Sequence, residues 1–444
     1  MPSNTGCTDG CASSIIHFEG YAMSAPTTQA PASFDIQWVR QQFPAFARKV
    51  NGYPAAFLDG PGGTQVPQSV IDAISNYLVR CNANTHGQFA TARESDEVIA
   101  AAHQAMADFL NCDADEVAFG PNMTTLTLAL SRAIGRTLKT GDEIVVTTLD
   151  HSANVSPWVA LEELGAKIRK VDINVEDCTL NLDDLKSKLN EHTRVVAVGY
   201  ASNAVGTINP VAEITRLAHE VGALVFIDAV HYAPHGLIDV RTIDCDFLAC
   251  SPYKFFGPHS GVLYGKREKL GALKPYKVRP ASNELPHAWE TGTQNHECMA
   301  GVLAAVDYIA SIAEHASGEG LDRRAALKKS YELIRSYERS ITATLLRGLA
   351  DVPGITIYGI TDPKRIDQHV GTVSIRMKNR TPQEIATHLG NKGLFTWDGN
   401  FYALDLTERL GVEESGGVLR IGLVHYNTED EIGRLLGELR ILAL

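Results

Sequence analysis

Two apolar segments of the chain end in residues that could do covalent and acid–base chemistry together. Leu224-Val-Phe-Ile227 runs into Asp228, and Asp246-Phe-Leu-Ala-Cys250 runs into Ser251-Pro-Tyr-Lys254, followed by Phe255-Phe-Gly-Pro-His-Ser-Gly261. A lysine flanked by Tyr253, Phe255 and Phe256 is partly desolvated, which disfavours its ammonium form and leaves an amine able to attack an aldehyde. A carboxylate at a neighbouring strand end suits the complementary task of keeping a pyridinium nitrogen protonated, so that an aromatic ring can accept electrons. Taken singly, the same residues also fit an ordinary strand-end aspartate and a surface lysine, since a short motif gains weight only from its context.

That context is a run of strands and helices able to bring both ends into one crevice. Glu116–Phe119, Glu143–Thr147, Lys167–Val171, Val195–Tyr200 and Ala223–Asp228 are apolar runs too short for helices and rich in β-branched residues, which predicts buried strands. Helical patterns fall between them, at about residues 124–138, up to Gly165, and at about 182–189 and 211–221. Such alternation predicts an α/β fold with a mainly parallel sheet wrapped by helices, its ligands outside the carboxyl ends of the strands. Beyond Gln294 the pattern changes to two long helices, about 300–314 and 323–349, then strand candidates at 355–358 and 370–375. The expected organisation is a disordered leader over 1–33, with Met23 a possible true start, and an N-terminal segment over 34–57 packing with the small domain. A large ligand-binding domain over 58–294 and a smaller C-terminal α+β domain over 295–444 complete it.

Composition limits the alternatives. The 444 residues are 44 % apolar and carry a net charge of −12 without a basic run, so nucleic acid and anionic membrane are poor partners. No uninterrupted apolar stretch approaches the roughly 20 residues of a membrane span, which predicts a cytoplasmic protein. The eight cysteines are scattered rather than densely spaced, as suits a reducing compartment, and the Cys7/Cys11 pair is read as incidental.

Six motifs in order carry a resemblance: Asp150-His-Ser-Ala-Asn154, Ser202-Asn-Ala-Val-Gly-Thr207, Ile227-Asp-Ala-Val-His231, Ser251-Pro-Tyr-Lys254, Glu290-Thr-Gly-Thr-Gln294 and Arg420-Ile-Gly-Leu-Val-His-Tyr-Asn427. From about Leu58 to the C-terminus the chain resembles the class V aminotransferase and cysteine desulfurase group of fold-type I pyridoxal 5'-phosphate enzymes. Gly60-Pro-Gly-Gly-Thr-Gln-Val-Pro67 is similar to a cysteine desulfurase-like subgroup that includes a fungal decarboxylative aldolase of peptide-toxin biosynthesis. The resemblance implies a seven-stranded-type sheet, a small amino-acid substrate bound as an external aldimine, and a homodimer. It also implies that Lys254 holds the cofactor as a Schiff base and shuttles protons, that Asp228 pairs with the pyridine nitrogen, and that His151 stacks on the ring. Asn203 and His231 would reach the ring hydroxyl, although the family's desulfurases usually carry glutamine at the position of His231. The phosphate would lie on the amides of Met123 and Thr124 at a helix N-terminus, with the Ser251 hydroxyl, and Thr293 would contact it across the dimer. Arg420 would bind the substrate carboxylate. His86 is assigned to the substrate side together with Arg93, against the plainer reading of a loop histidine and a solvated arginine.

Three competing readings are weaker. Ser251-Pro-Tyr-Lys254 and Lys139-Thr-Gly141 echo penicillin-recognising serine enzymes, but in inverted order and with Gly257-Pro258 stopping the required helix. A metal site from Asp228, His231, His235 and Asp239 would need a helix that Pro234 and Gly236 interrupt, so no metal is expected. A non-catalytic binding module would not need the intact lysine. The reaction turns on an absence: desulfurases carry a nucleophilic cysteine shortly before the carboxylate-binding arginine, whereas the corresponding stretch here, Gly393–Asp405, has none, and no cysteine follows Cys298. Phe401 and Tyr402 offer an aromatic lid instead. The expectation is bond cleavage at the substrate's β-carbon, by a lyase or a decarboxylative aldolase using a second aldehyde or carbonyl substrate. The alternative is a class V aminotransferase or a C–S or selenocysteine lyase.

Overall fold

In a computed structural model describing residues 34–444, seven strands form one sheet. They are β1 (Val117–Gly120), β2 (Glu143–Thr147), β3 (Lys167–Val171), β4 (Thr193–Gly199), β5 (Leu224–Asp228), β6 (Phe247–Cys250) and β7 (Gly261–Gly265). Their order across the sheet is β1-β7-β6-β5-β4-β2-β3, with β7 antiparallel to both neighbours and the remaining pairings parallel. Successive residues of a strand face opposite sides, and here both sides are apolar: Val225 and Ile227 belong to one core, Phe226 to the other beside Trp158. The predicted strands are therefore present with shifts of a residue or two at their ends. The strand β7 was not foreseen, because a five-residue run bounded by glycines reads as loop. The helices Gln68–Arg80 and Ala90–Leu110 also lay outside the predicted pattern.

Later in the chain β8 (Ile355–Tyr358), β9 (Thr372–Met377), β10 (Trp397–Gly399) and β11 (Val418–Gly422) form an antiparallel sheet in the order β8-β9-β11-β10. The first described segment is stitched to this region: Ala56–Phe57 pairs in parallel with Leu394–Phe395, and the Arg40 guanidinium donates to Tyr426 O at 2.7 Å and to Glu431 at 2.9 Å. Residues 1–33, with the leader, Met23 and the Cys7/Cys11 pair, lie outside the described residues.

One helix, His296–Ser317, is long and apolar enough to cross a membrane, but 67 % of its most apolar window is buried. It packs against Gln68–Arg80, Ala90–Leu110 and a helix over Arg323–Ala350, as a core helix does.

Candidate active site

The parallel strands deliver their last residues to one edge. Asp228 ends β5 level with Gly199 of β4 and Ala249 of β6, and its carboxylate accepts the Val230 amide at 2.9 Å. Burial raises its pKa to about 6, against the Val230 hydrogen bond and the Lys254 charge. The β6 strand runs into a tight turn, Pro252–Lys254, that aims Lys254 into the same crevice. Its Nζ donates to the Pro61 carbonyl and lies 4.7 Å from the centre of the Tyr253 ring. Burial first, then Arg420, lowers its pKa to about 7, with Asp228 and Asp59 opposing. Near neutral pH a large fraction of this amine is uncharged and nucleophilic.

A helix, Met123–Gly135, begins at the same edge after β1. Asn122 caps it by accepting the Thr125 amide at 2.8 Å, and the Met123 amide donates to Ser251 Oγ at 3.2 Å. Thr124 is exposed, and its amide makes no hydrogen bond among the described residues, which leaves a free donor at the positive end of the helix. Gly261 is required here, because a Cβ would sit 2.4 Å from the Asn122 carbonyl carbon.

His151 follows β2, and its Nδ1 accepts the Ala153 amide at 3.0 Å. Burial, with Lys254 and Arg420, lowers its pKa to about 4, so the ring is neutral and flat. Behind it, buried Asp150 accepts the Gly199 amide and the Asn154 side chain, both at 2.9 Å; burial, with Asp228 adding, raises it to about 7. Asn203 donates to Phe401 O at 2.9 Å, while its buried Oδ1 has no partner among the described residues. Arg420 stands in the middle of β11, not at a strand end, and is 4 % exposed. It donates to Asn203 O at 3.0 Å and lies 4.0 Å over the Phe401 ring. Burial lowers its pKa to about 9, with Asp59 and Tyr253 opposing, so it stays a cation at neutral pH.

Tyr402 stacks on His151, with centroids 5.4 Å apart, and its carbonyl accepts the Ser152 amide and hydroxyl at 2.6 and 2.8 Å. Phe401 and Tyr402 both adopt left-handed backbone, φ +56° and +60°, a conformation that L side chains disfavour and that clusters at functional sites.

These groups line a cavity of 1550 Å³ that contains Lys254, Asp228, His151, Met123, Thr124, Asn203, His231, Ser251 and Arg420. Three predicted residues are elsewhere in the chain. Thr293 is exposed; His86 is exposed and faces Asp96; Arg93 donates to Gln88 O at 3.0 Å. His231 lines the cavity, but its Nε2 is bonded to Thr372 Oγ1 at 2.9 Å. The turn at Tyr232–Gly236 brings His231 and His235 together despite Pro234, contrary to the sequence argument. His231 Nε2 and His235 Nδ1 nevertheless go to separate partners, and no metal-binding cluster occurs among the described residues. Three contributors were missed: the Pro61 carbonyl, which carries no side-chain signal; buried Asp150, quoted within a motif but given no task; and Asp59, whose pKa burial raises to about 6 beside Arg420 and Lys254.

An amine beside a buried carboxylate, an open amide at a helix end, a neutral imidazole and an unpartnered amide oxygen fit an aromatic, phosphorylated aldehyde. The loop that holds the amine is tightly backed. A Cβ on Gly422 would lie 1.9 Å from Pro61 Cδ. Gly422→Ala is therefore expected to lower stability by about 1–3 kcal/mol and to displace the Lys254 acceptor; an unchanged melting temperature with unchanged activity would refute that packing.

The chain matches the model of the aminotransferase class-V family over residues 56–435. It is 32 % identical over 424 residues to a cysteine desulfurase of Cronobacter sakazakii, covering 92 % of this chain and 98 % of the relative. In structure it is similar to the apo cysteine desulfurase of Thermococcus onnurineus, with a TM-score of 0.81 and 24 % identity over 95 % of this chain and 99 % of that one. A further likeness is to a C-DES variant with glycine covalently linked to its PLP cofactor, with a TM-score of 0.72 and 21 % identity, covering 90 % of this chain and 98 % of that one.

Proposed function

The chain belongs to the class-V aminotransferase family of pyridoxal-phosphate enzymes, alongside the cysteine desulfurases, and on that premise we propose that it cleaves a bond at the β-carbon of a small amino acid. Pyridoxal phosphate, when bound, supplies an electron sink for the bond that breaks. The protein's residues do the rest. Lys254 Nζ anchors the cofactor and then moves a proton at the substrate's α-carbon. Asp228 holds the proton on the pyridine nitrogen, and neutral His151 lies against the ring. The Met123 and Thr124 amides with Ser251 hold the phosphate, and Arg420 holds the α-carboxylate. Thr293, exposed in its own chain, reaches the phosphate of a second copy in a homodimer.

What supports the β-carbon reading is that none of the described cysteines lines the cavity and no cysteine follows Cys298. The cations that do line it are Lys254, Arg376 and Arg420, and Arg376 is already committed to the Gly417 carbonyl at 2.5 Å. A second carboxylate on the substrate held against the half-buried Phe401 would lose part of its hydration, which favours its loss as CO₂. The carbanion left behind can add to the carbonyl carbon of an aldehyde, whose oxygen then takes up a proton.

Purified holoenzyme with aspartate is expected to release CO₂ and, with an aldehyde present, to form a new carbon–carbon bond. Rapid turnover of cysteine through a persulfide on a required cysteine would sink this reading. Stoichiometric formation of an α-keto acid with the pyridoxamine form of the cofactor would instead establish transamination, the reading favoured by the family match alone.

A further inference from the structure

The turn that carries His231 carries a second buried imidazole that this chemistry does not use. His235 Nδ1 lies 2.8 Å from Glu338 Oε2, and the His235 ring meets that of His231 edge to face, centroids 5.2 Å apart. Glu338 stands on the helix Arg323–Ala350 within the buried stripe Ile334, Ile341 and Leu345, where the helical period calls for an apolar residue. It is 4 % exposed, and its Oε1 and the Nε2 of His235 have no hydrogen-bond partner among the described residues. A buried carboxylate left half satisfied is costly, and such groups persist where they serve a site. His231 itself is pinned from the other side by Thr372.

We propose that His235 and Glu338 are positioning residues for His231: the pair fixes the imidazole that lines the cavity and places a buried carboxylate behind it, so that His231 meets the bound cofactor in one orientation. The inference rests on the cavity being the pyridoxal-phosphate site. His231 is faced by His235 on its own turn, by Thr372 and His369 from β9 and the segment before it, by Arg420 on β11 and by Lys254 after β6. Glu338 is faced by His235, by Arg335 and Tyr331 of its own helix, and by the His425 backbone. Among these groups Glu338 is the one carboxylate; burial raises its pKa, with His235 and Arg335 opposing, and in its ionised form its field favours protonation of the imidazoles beside it.

The test is a pH titration of the visible absorption of the holoenzyme. In Glu338→Gln, which keeps the shape and removes the charge, the midpoint is expected to fall by about half a unit to one unit. Glu338→Asp should restore part of the shift. Thr372→Val, nearly isosteric, frees His231 Nε2 and is expected to raise the Kd for pyridoxal phosphate several-fold. An unchanged or raised midpoint in folded Glu338→Gln overturns the proposal. Should that variant fail to fold, an unchanged Kd and spectrum in Thr372→Val does so. Wild-type protein that takes up no pyridoxal phosphate would instead overturn the reading of the cavity, which separates the two failures.

Discussion

Lys254→Ala is expected to lower turnover by at least about 10³-fold, because in the proposed function one side chain both anchors the cofactor and moves the proton. The loss should not come from unfolding. The folded pKa of Lys254, about 7, lies below its ordinary 10.5, so the unfolded chain binds the extra proton between those values. Stability therefore rises with pH across that window, and the cost of burying the amine is fully present below pH 7. Alanine removes this cost and flattens the dependence, so chemical denaturation between pH 7 and 10.5 should show a variant no less stable than the wild type at the lower end. Borohydride reduction followed by peptide mass spectrometry is expected to place the cofactor on Lys254 in the wild-type protein. A reduced adduct on another lysine would falsify the assignment.

Asp228→Asn is expected to lower kcat by about 10²–10³-fold at full cofactor occupancy, the scale of losing one preorganised electrostatic partner. The amide oxygen can keep the Val230 hydrogen bond, so the geometry survives while the charge proposed to hold a proton on the ring nitrogen is lost. The loss should fall on kcat more than on KM, since in the proposed function the carboxylate serves the cofactor and not the substrate's carboxyl group. A variant that retains within tenfold of wild-type kcat with cofactor fully bound would show that Asp228 has only a structural task.

Much of the site was legible because strands buried on both faces appear as short apolar runs, and their ends fall where ligands bind. Asp228 and Lys254 were found this way, and both lie at the predicted edge. The ordered motifs added His151, Asn203, Ser251 and Arg420, all of which line the cavity. What stayed hidden is non-local. The Pro61 carbonyl meets Lys254 from 193 residues away, and Glu338 meets His235 across 103, and no periodicity encodes either contact. Glu338 left one trace, a carboxylate on an otherwise apolar stripe, which sequence reading passed over. His86 carried no pattern that could tell an inward from an outward loop position.

The pairing of Ala56–Phe57 with Leu394–Phe395, and of Arg40 with Glu431, also sets a timetable for birth on the ribosome. A chain made at about 5–20 residues per second leaves its first segment without a partner for on the order of 20–60 s, until the region near residue 394 emerges. Throughout that interval Phe46 and Phe57 lack their partners Tyr426 and Phe395, while Phe43 can meet Phe256 and Tyr308 earlier. The nascent chain therefore carries an apolar, strand-forming segment at residues 46–57 that stays partly uncovered until those partners are made. Recombinant yield should accordingly respond to holdase chaperones and to lowered growth temperature more than the stability of the finished fold would lead one to expect.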